Sequence, residues 1–204
     1  MGIKFGNNTK LFLPLWKFFF NCRRMQETVV KGMTFVPYLS EAEIQQQVSR
    51  VAREIRASLD PANAPIFVCV LNGAFMFAAD LIRACDLPQA AITFIRLKSY
   101  EGTSSTGVIK EVMGLSENLE GRDVIIIEDI VDTGITAKAL RETLAQHHPK
   151  SVKMATLLFK PESLTTGKEP EFVGFKIPSR FIIGYGLDLD GEARGLRDIL
   201  VLKD

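Results

Sequence analysis

The sequence has few of the residues that build disulfides or zinc sites. Its 204 residues contain only three cysteines, Cys22, Cys69 and Cys85, and their spacing matches none of the paired patterns of zinc ligands. An odd number of cysteines without such a pattern favours a reducing compartment. We therefore expect a cytoplasmic protein.

An excess of charge of either sign is also missing. Lysine and arginine together number 25 and aspartate and glutamate 24, which leaves a net charge of +1. This balance, with no basic run, argues against a dominant role in binding nucleic acid or a membrane surface. The 47% of hydrophobic residues can build a full core, most simply in one domain.

No apolar run is long enough to cross a bilayer. The best candidate, residues 11–20 (LFLPLWKFFF), is interrupted by Pro14 and Lys17 and falls far short of the ~20 apolar residues that a spanning helix needs. The NCRR stretch that follows offers no small-residue cleavage site for a signal peptide. The sequence therefore predicts no membrane span.

The N-terminal segment, residues 1–24, does not resemble the rest of the chain. We predict that it is a disordered extension, or that it is translated upstream of a true start at Met25 or Met33. A weak membrane-surface anchor is the alternative. The remaining chain, residues 25–204, is assigned to a single domain.

The most informative stretch is residues 124–136, VIIIEDIVDTGIT. Its four leading apolar residues are β-branched and too few for a helix, which indicates a strand buried on both faces of a parallel sheet. Glu128 and Asp129 follow at the carboxyl end of that strand, where open α/β sheets bind their ligands. Acidic pairs after strands are also common as solvated loop residues, so the pair alone does not decide between the two interpretations.

The turn that follows adds a second signal. It comprises Asp132, Thr133, Gly134, Ile135 and Thr136, and a helical pattern begins directly after it. Backbone N–H groups and threonine hydroxyls at a helix N-terminus suit a phosphate. Two carboxylates would repel that phosphate and suit a diol, a metal ion or a developing cation instead. Together these features describe a sugar phosphate site in an α/β fold.

Other elements repeat or extend this pattern. A capping box at residues 40–43 begins a structural helix, a strand at residues 92–97 precedes a loop rich in glycine, serine and threonine, and Lys160 follows a strand at residues 152–159. A strand at residues 66–71 ends in an Asn72-Gly73 turn before a helix, which repeats the central arrangement. We expect residues 172–204 to form a small separate layer, with short strands at 172–177 and 181–185.

The central stretch resembles the phosphoribosyl pyrophosphate signature of the type I phosphoribosyltransferases. The resemblance lies in the apolar strand, Glu128-Asp129, two apolar residues and Asp132-Thr133-Gly134, is strongest to the hypoxanthine-guanine enzymes, and extends from near Phe35 to the C-terminus. It implies a parallel-sheet core with a small hood from the chain's two ends and a flexible lid loop. It also implies a purine salvage transferase that moves 5-phosphoribosyl to N9 of hypoxanthine or guanine, giving IMP or GMP and pyrophosphate.

The resemblance assigns a role to each candidate site residue. The phosphoribosyl group is bound by Glu128, Asp129, Asp132, Thr133, Gly134, Ile135 and Thr136, and pyrophosphate by Leu71, Asn72, Gly73 and Arg194. The purine is bound by Lys160, at its 6-oxo group, and by Phe181, Ile182 and Asp188. Magnesium is bound by Glu128, Asp129 and Asp188, the lid carries Ser99 and Tyr100, and Asp132 acts as general base near N7.

Two details of the resemblance need separate mention. It implies a cis peptide between Leu71 and Asn72, and some relatives carry lysine in place of Asn72. Gly195 replaces an acid found in some relatives, with no consequence that can be derived.

Several alternatives remain open from the sequence. The base could be xanthine, or the chain could be a nucleic-acid-binding regulator that senses the sugar phosphate. The loop after residue 97 could be an ordinary mobile connection, and Lys160 an ordinary surface charge. Relatives are commonly dimers or tetramers, so we expect a homodimer or homotetramer.

Overall fold

A computed structural model of the protein describes residues 26–60, 63–97 and 112–203. The predicted lid residues Ser99 and Tyr100 and the N-terminal segment, residues 1–24, lie outside these ranges. The helices are α1 (Glu41–Ser58), α2 (Phe75–Cys85) and α3 (Ile135–Ala145). The strands are β1 (Thr28–Val30), β2 (Met33–Leu39), β3 (Ile66–Leu71), β4 (Ala91–Leu97), β5 (Val112–Met113), β6 (Asp123–Val131), β7 (Ser151–Phe159), β8 (Phe172–Lys176), β9 (Ile182–Ile183) and β10 (Ile199–Leu202).

The core is a six-stranded sheet in the order β5-β4-β3-β6-β7-β8. The β4, β3, β6, β7 and β8 strands run parallel, and only β5 at the edge pairs antiparallel. Parallel strands need crossover connections, which α2 and α3 supply. This arrangement confirms the predicted α/β class. Across the described part of the chain, no helix combines the length and apolar character needed to traverse a bilayer.

The two faces of the sheet bury different sets of residues. Along β6, Ile125 and Ile127 pack with the buried faces of α1 and α2, whereas Val124 and Ile126 pack with that of α3. Side chains alternate between faces along a strand, so a continuous apolar run is what a sheet covered on both sides requires. The run at residues 124–127 therefore behaves as predicted.

The first helix also begins as predicted. Ser40 is its N-cap, the Ser40 side chain accepts from Glu43 N, and the Glu43 side chain accepts from Ser40 N, which completes the capping box. Ile44, Val48 and Ile55 are among the residues it buries against the sheet. Its role is structural.

The prediction for the C-terminal segment was partly wrong. The β8 strand does not belong to a separate layer, because it pairs parallel with β7 at the edge of the main sheet. Only β9 and β10 join the small layer, an antiparallel sheet in the order β1-β2-β10-β9 that we call the hood. The hood unites the two ends of the domain, a long-range pairing for which a short strand carries no local signal.

The central strand is longer than its apolar run. We expected β6 to end before Glu128, but its pairing with β7 continues to Val131. The α3 helix begins at Ile135 rather than after Thr136. Glu128 and Asp129 therefore lie within the last residues of a paired strand rather than in a loop. The pairing with β7 fixes the backbone from which their side chains extend.

Candidate active site

The carboxyl ends of three parallel strands bring the predicted site residues to one edge of the sheet. Asn72 and Gly73 follow β3, Asp132 follows β6, and Lys160 follows β7. Helices α2 and α3 begin at the same edge. Such an edge is where open α/β sheets bind ligands.

The loop after β6, residues 132–136, has the geometry of an anion site. Gly134 takes a left-handed conformation with φ of +81°, and a Cβ there would overlap with the carbonyl oxygen of Thr166. The Thr133 carbonyl is held by the N–H groups of Thr165, at 3.0 Å, and Thr166, at 3.3 Å. Glycine is therefore required for both conformation and space, and the loop is anchored from the segment after β7.

The backbone amides of this loop have no acceptor among the residues that the structure describes. Within residues 26–60, 63–97 and 112–203, the backbone N–H groups of residues 133–136 donate no hydrogen bond. Thr133, Gly134 and Thr136 line, with Glu128 and Asp132, a cavity of about 110 Å³. Unpaired amides at a helix start favour an anionic ligand.

Glu128 and Asp129 lie on opposite faces of the sheet edge, because consecutive strand residues alternate. Glu128 lines the cavity of the 132–136 loop, while Asp129 packs against Gly73 on the other face. Burial and the neighbouring Asp129 carboxylate raise the pKa of Glu128 well above its ordinary value. Burial also raises the pKa of Asp129, although backbone N–H groups and Arg194 oppose the shift.

The turn after β3 is packed against Asp129. The peptide between Leu71 and Asn72 is cis, as the family resemblance implied. A Cβ on Gly73 would overlap with the Asp129 carboxylate, so only glycine leaves that carboxylate in place. The turn lines a cavity of about 240 Å³ whose walls are Leu71, Asn72, Phe75, Met76, Gly186 and Arg194.

Asp132 and Lys160 form an ion pair that the sequence did not predict. Lys160 Nζ lies 2.8 Å from Asp132 Oδ2, and Lys160 N donates to Val131 O at 3.0 Å. Lys160 is buried, at 9% exposure, so it is not an ordinary surface charge. The pair places a proton acceptor, Asp132, and a cationic donor, Lys160, side by side. A ligand with a hydrogen-bond donor next to an acceptor on one edge could bind both groups.

A loop of the hood covers the Gly73 turn. This hood loop, residues 184–198, connects β9 to β10 and carries Asp188 and Arg194. Arg194 Nη2 lies 2.8 Å from Asp188 Oδ1, and its Nη1 donates to Gly186 O at 2.7 Å. Both charged groups also influence the Asp129 pKa. The structure thus brings Asp129, Asp188, Arg194 and the Gly73 turn into one neighbourhood.

The aromatic residue assigned to the purine lies at the edge of the hood. Phe181 is 47% exposed, and its ring centroid lies 6.1 Å from that of Phe35 at an interplanar angle of 47°. Ile182 is buried within β9. Phe181 therefore presents ring surface to solvent, whereas Ile182 holds the strand in the core.

The carboxylates assigned to magnesium do not form a compact cluster. In the described part of the chain, no three His, Cys, Asp or Glu side chains are grouped to hold a metal ion by themselves. Glu128 and Asp129 face opposite sides of the sheet edge, which keeps their carboxylates out of one such group. Magnesium usually takes one or two carboxylates together with water and ligand phosphates. Asp129 and Asp188 fit such a shared site beside a phosphorylated ligand.

Several residues at the site were not predicted from the sequence. Phe75 and Met76 line the cavity of the Gly73 turn, and Gly186 closes it from above, where a Cβ would overlap with Gly73 O. The glycines on either side of Tyr185 are a signal for close backbone approach. Phe75 and Met76 carry no such signal, because apolar residues at the start of a helix are ordinarily predicted to lie in the hydrophobic core.

Comparison with known proteins agrees with this geometry. The chain matches the phosphoribosyl transferase domain family over residues 38–190. It is 41% identical over 168 residues to a hypoxanthine-guanine phosphoribosyltransferase of Dictyostelium discoideum, covering 81% of this chain and 93% of that protein. A second relative of the same name, from Aquifex aeolicus, is 35% identical over 176 residues, covering 86% and 98%. The crystal structure of a hypoxanthine-guanine phosphoribosyltransferase from Bacillus anthracis superposes with a TM-score of 0.73 at 36% identity, covering 82% of this chain and 96% of that one.

The fold and the site thus define a type I phosphoribosyltransferase, a transferase enzyme of the glycosyltransferase class. The family match, residues 38–190, includes the parallel core and the glycine loop after β6. Within that class, the chain belongs to the hypoxanthine-guanine phosphoribosyltransferase family.

Proposed function

We propose that this protein transfers the 5-phosphoribosyl group of phosphoribosyl pyrophosphate to N9 of hypoxanthine or guanine. The products are IMP or GMP and pyrophosphate, and the reaction is a purine salvage step. The observation that carries the proposal is the loop of free amides at residues 133–136 beside Glu128 and the Asp132–Lys160 pair. This arrangement offers one position for a phosphate, one for sugar hydroxyls and one for a purine.

The 5-phosphate binds in the loop formed by Asp132, Thr133, Gly134, Ile135 and Thr136. Hydrogen bonds that involve a charged partner each contribute about 1.5–3 kcal/mol, so several amides and hydroxyls hold the phosphate firmly. Glu128 accepts from ribose hydroxyls, because it faces the same cavity. Asp129 faces the Gly73 turn and serves the pyrophosphate end of the substrate.

The Asp132–Lys160 pair recognises the purine. N7 and the 6-oxo group are neighbours on one edge of a 6-oxopurine, and Asp132 and Lys160 are 2.8 Å apart. Lys160 donates to the 6-oxo group, which selects against adenine, and Asp132 takes the proton at N7 as general base. The exposed ring of Phe181 stacks on the base, and Ile182 supports the strand beneath it.

Pyrophosphate leaves between the Gly73 turn and the hood loop. Arg194 supplies positive charge, and the backbone of Leu71, Asn72 and Gly73 lines the same cavity. Asp129 and Asp188 would hold magnesium there, with Glu128 oriented to the other face. When bound, magnesium neutralises charge on the departing phosphates.

The general-base role is tested with Asp132→Asn. The change keeps the shape of the side chain and removes the basic carboxylate, so turnover should fall by about 10² or more. Asp86→Asn, at the exposed end of α2, is the matched control and should keep full turnover. Unchanged turnover in folded Asp132→Asn, checked by circular dichroism, would refute this role.

Base preference is tested by product formation with hypoxanthine, guanine, xanthine and adenine. We expect IMP and GMP, little xanthosine product and no AMP. Faster turnover of xanthine would favour the xanthine-preferring alternative. Salt-dependent binding to RNA or DNA without any turnover would favour the regulator alternative.

We also propose a homo-oligomer in solution. Ile92 and Phe94 on β4 are 44% and 41% exposed, and they pair with Phe67 and Cys69, which lie on the α2 face of the sheet. Phe75 on α2 is 48% exposed. Light scattering should give a dimer or tetramer, and Phe94→Asp should weaken it. The lid residues Ser99 and Tyr100 and the cytoplasmic location remain predictions.

A further inference from the structure

Tyr185 in the hood loop makes a contact that the proposed chemistry does not use. Its ring is buried, at 6% exposure, and its hydroxyl donates to Asp80 Oδ2 at 2.7 Å. Asp80 belongs to α2, the helix that begins at the Gly73 turn. The hydrogen bond therefore ties the hood loop to the core of the enzyme.

The Asp80 carboxylate is itself fixed by two further donors. Gln45 Nε2, from α1, donates to Oδ2 at 2.6 Å, and Arg83 Nη2 lies 2.8 Å from Oδ1. Burial, together with the bond to Asp80, raises the pKa of Tyr185, so the hydroxyl keeps its proton and remains the donor. One carboxylate thus joins α1, α2 and the hood loop.

The backbone next to Tyr185 sets the position of Arg194. Tyr185 N donates to Leu196 O, Gly186 N donates to Arg194 O, and both distances are 2.9 Å. The Arg194 guanidinium in turn donates to Gly186 O at 2.7 Å. Both the main chain and the side chain of Arg194 are therefore held by Gly186, the residue directly after Tyr185.

The fit between the hood loop and the Gly73 turn leaves little tolerance for movement. A Cβ on Gly186 would overlap with Gly73 O, so the two backbones are already in close contact. The Arg194 guanidinium also holds Asp188 at 2.8 Å. Any shift of Tyr185 would move Arg194 and Asp188 together relative to the turn.

We propose that the Asp80–Tyr185 hydrogen bond is a positioning device that fixes Arg194 and Asp188 over the Gly73 turn, at the pyrophosphate end of the substrate. Tyr185 and Asp80 are positioning residues and touch no reacting atom. This inference rests on the proposed pyrophosphate role of Arg194. A misplacement of about 1 Å in such a site can cost up to 10²-fold in rate, so one hydrogen bond suffices to matter.

The test is Tyr185→Phe, which keeps the ring in the core and removes only the hydroxyl. We expect KM for phosphoribosyl pyrophosphate to rise about tenfold, the size of one hydrogen bond to a charged group, while KM for hypoxanthine stays within about twofold. Asp80→Ala should also raise KM for phosphoribosyl pyrophosphate and not KM for hypoxanthine. The Tyr185→Phe, Asp80→Ala double variant should raise KM for phosphoribosyl pyrophosphate no further than either single variant does. Asp80→Asn should restore near-normal KM, because its amide oxygen can still accept from Tyr185.

Two controls separate positioning from general stability. Tyr38→Phe removes a hydroxyl from a partly buried tyrosine packed against the same core cluster, and Lys203→Gln removes an exposed ion pair, with Glu27, that does not involve Asp80. Both should leave both KM values unchanged. A uniform loss in all kinetic constants of Tyr185→Phe, or an unchanged KM for phosphoribosyl pyrophosphate, would overturn the inference.

Arg194→Gln distinguishes failure of this inference from failure of the proposed function. If Arg194→Gln raises KM for phosphoribosyl pyrophosphate and Tyr185→Phe does not, the positioning role is wrong and the role of Arg194 stands. If neither variant changes that KM, the pyrophosphate role of Arg194 is wrong as well. Circular dichroism and Tm measured on every variant show whether each remains folded.

Discussion

The two glycine turns at the sheet edge are similar in chain order but are built in different ways. The loop around Gly134 is held locally, since the amides that bind its Thr133 carbonyl and the carbonyl that packs against Gly134 come from the segment directly after β7, the end of the same strand-helix-strand unit. The Gly73 turn depends on Asp129 from β6 and on Gly186 and Arg194 from the hood. One turn is thus a local motif, and the other is an assembly of three distant segments.

The largest effect on folding should come from Gly134→Ala. Its φ of +81° costs a non-glycine residue about 1–2 kcal/mol, and overlap with the Thr166 carbonyl adds about 1–3 kcal/mol. At about 2–4 °C for each kcal/mol, we expect a Tm at least about 4 °C lower, with weaker binding of ribose 5-phosphate. Differential scanning calorimetry and calorimetric titration would measure both.

Gly121→Ala is the matched control for this variant. Gly121 also has a positive φ, +67°, but a Cβ there would meet no atom within 4 Å. It should therefore show the conformational cost alone and full ribose 5-phosphate binding. Equal Tm losses in the two variants would show that the contact with Thr166 is unimportant and that the loop is less tightly packed than described.

The difference between the turns also explains what sequence reasoning could reach. Strand, acidic pair, glycine and helix start lie consecutively in residues 124–136, so the α/β class and the Gly134 loop were predictable from local patterns. The hood was only partly predictable, because it depends on the pairing of β2 with β10, which lie far apart in the sequence, and only β1 and β2 form a local hairpin. β8 was placed in the wrong layer for the same reason.

Side-chain partnerships were the least predictable part of the site. The Asp132–Lys160 and Arg194–Asp188 ion pairs join residues whose individual roles were predicted without any contact between them. The Glu128-Asp129 pair was predicted as one unit, although alternation along β6 separates the two carboxylates. The position of a residue in the sequence pattern predicts that it lies at the carboxyl edge of the sheet. Only the packed structure shows which side chain it contacts at that edge.

A smaller and more selective effect is expected from Gly73→Ala. A Cβ there would displace the Asp129 carboxylate, but that carboxylate can rotate away, so the Tm should fall by only about 2–4 °C. On the proposed role of Asp129 at the pyrophosphate end of the substrate, we expect turnover to fall about tenfold or more while ribose 5-phosphate still binds. Steady-state kinetics and calorimetric titration would measure the two effects.

Gly195→Ala provides the comparison for Gly73→Ala. It directly follows Arg194 in the hood loop, yet a Cβ at this position would meet nothing within 4 Å. It should keep near-normal turnover. If Gly73→Ala instead abolishes binding of ribose 5-phosphate, the two turns do not act separately and the contrast between them fails.

The smallest effect concerns stability. It tests whether Glu128, beside the Gly134 loop, carries a buried charge in the free enzyme. Its raised pKa means that the folded protein binds the proton more tightly than the unfolded chain does. The stability linked to this proton is complete below the ordinary pKa of 4.5 and is lost as pH rises toward the folded pKa. Glu128→Gln removes the buried charge, so metal-free enzyme should gain Tm at neutral pH, about 2–4 °C for each kcal/mol, and lose activity.

The pH dependence makes that test specific. The difference in Tm between Glu128→Gln and the unaltered enzyme should be small near pH 4 and grow with pH. The reason is that the side chain at residue 128 can lose a proton only in the unaltered enzyme. Subtracting the two curves removes most of the contribution of Asp129, whose pKa is also raised, and leaves the contribution of Glu128 together with its repulsion from Asp129. A constant difference across the whole range would mean that Glu128 carries no buried charge in the free enzyme. In that case, the Glu128 carboxylate would be solvated in the free enzyme. Its desolvation would then not already be part of the folded state before the sugar phosphate binds.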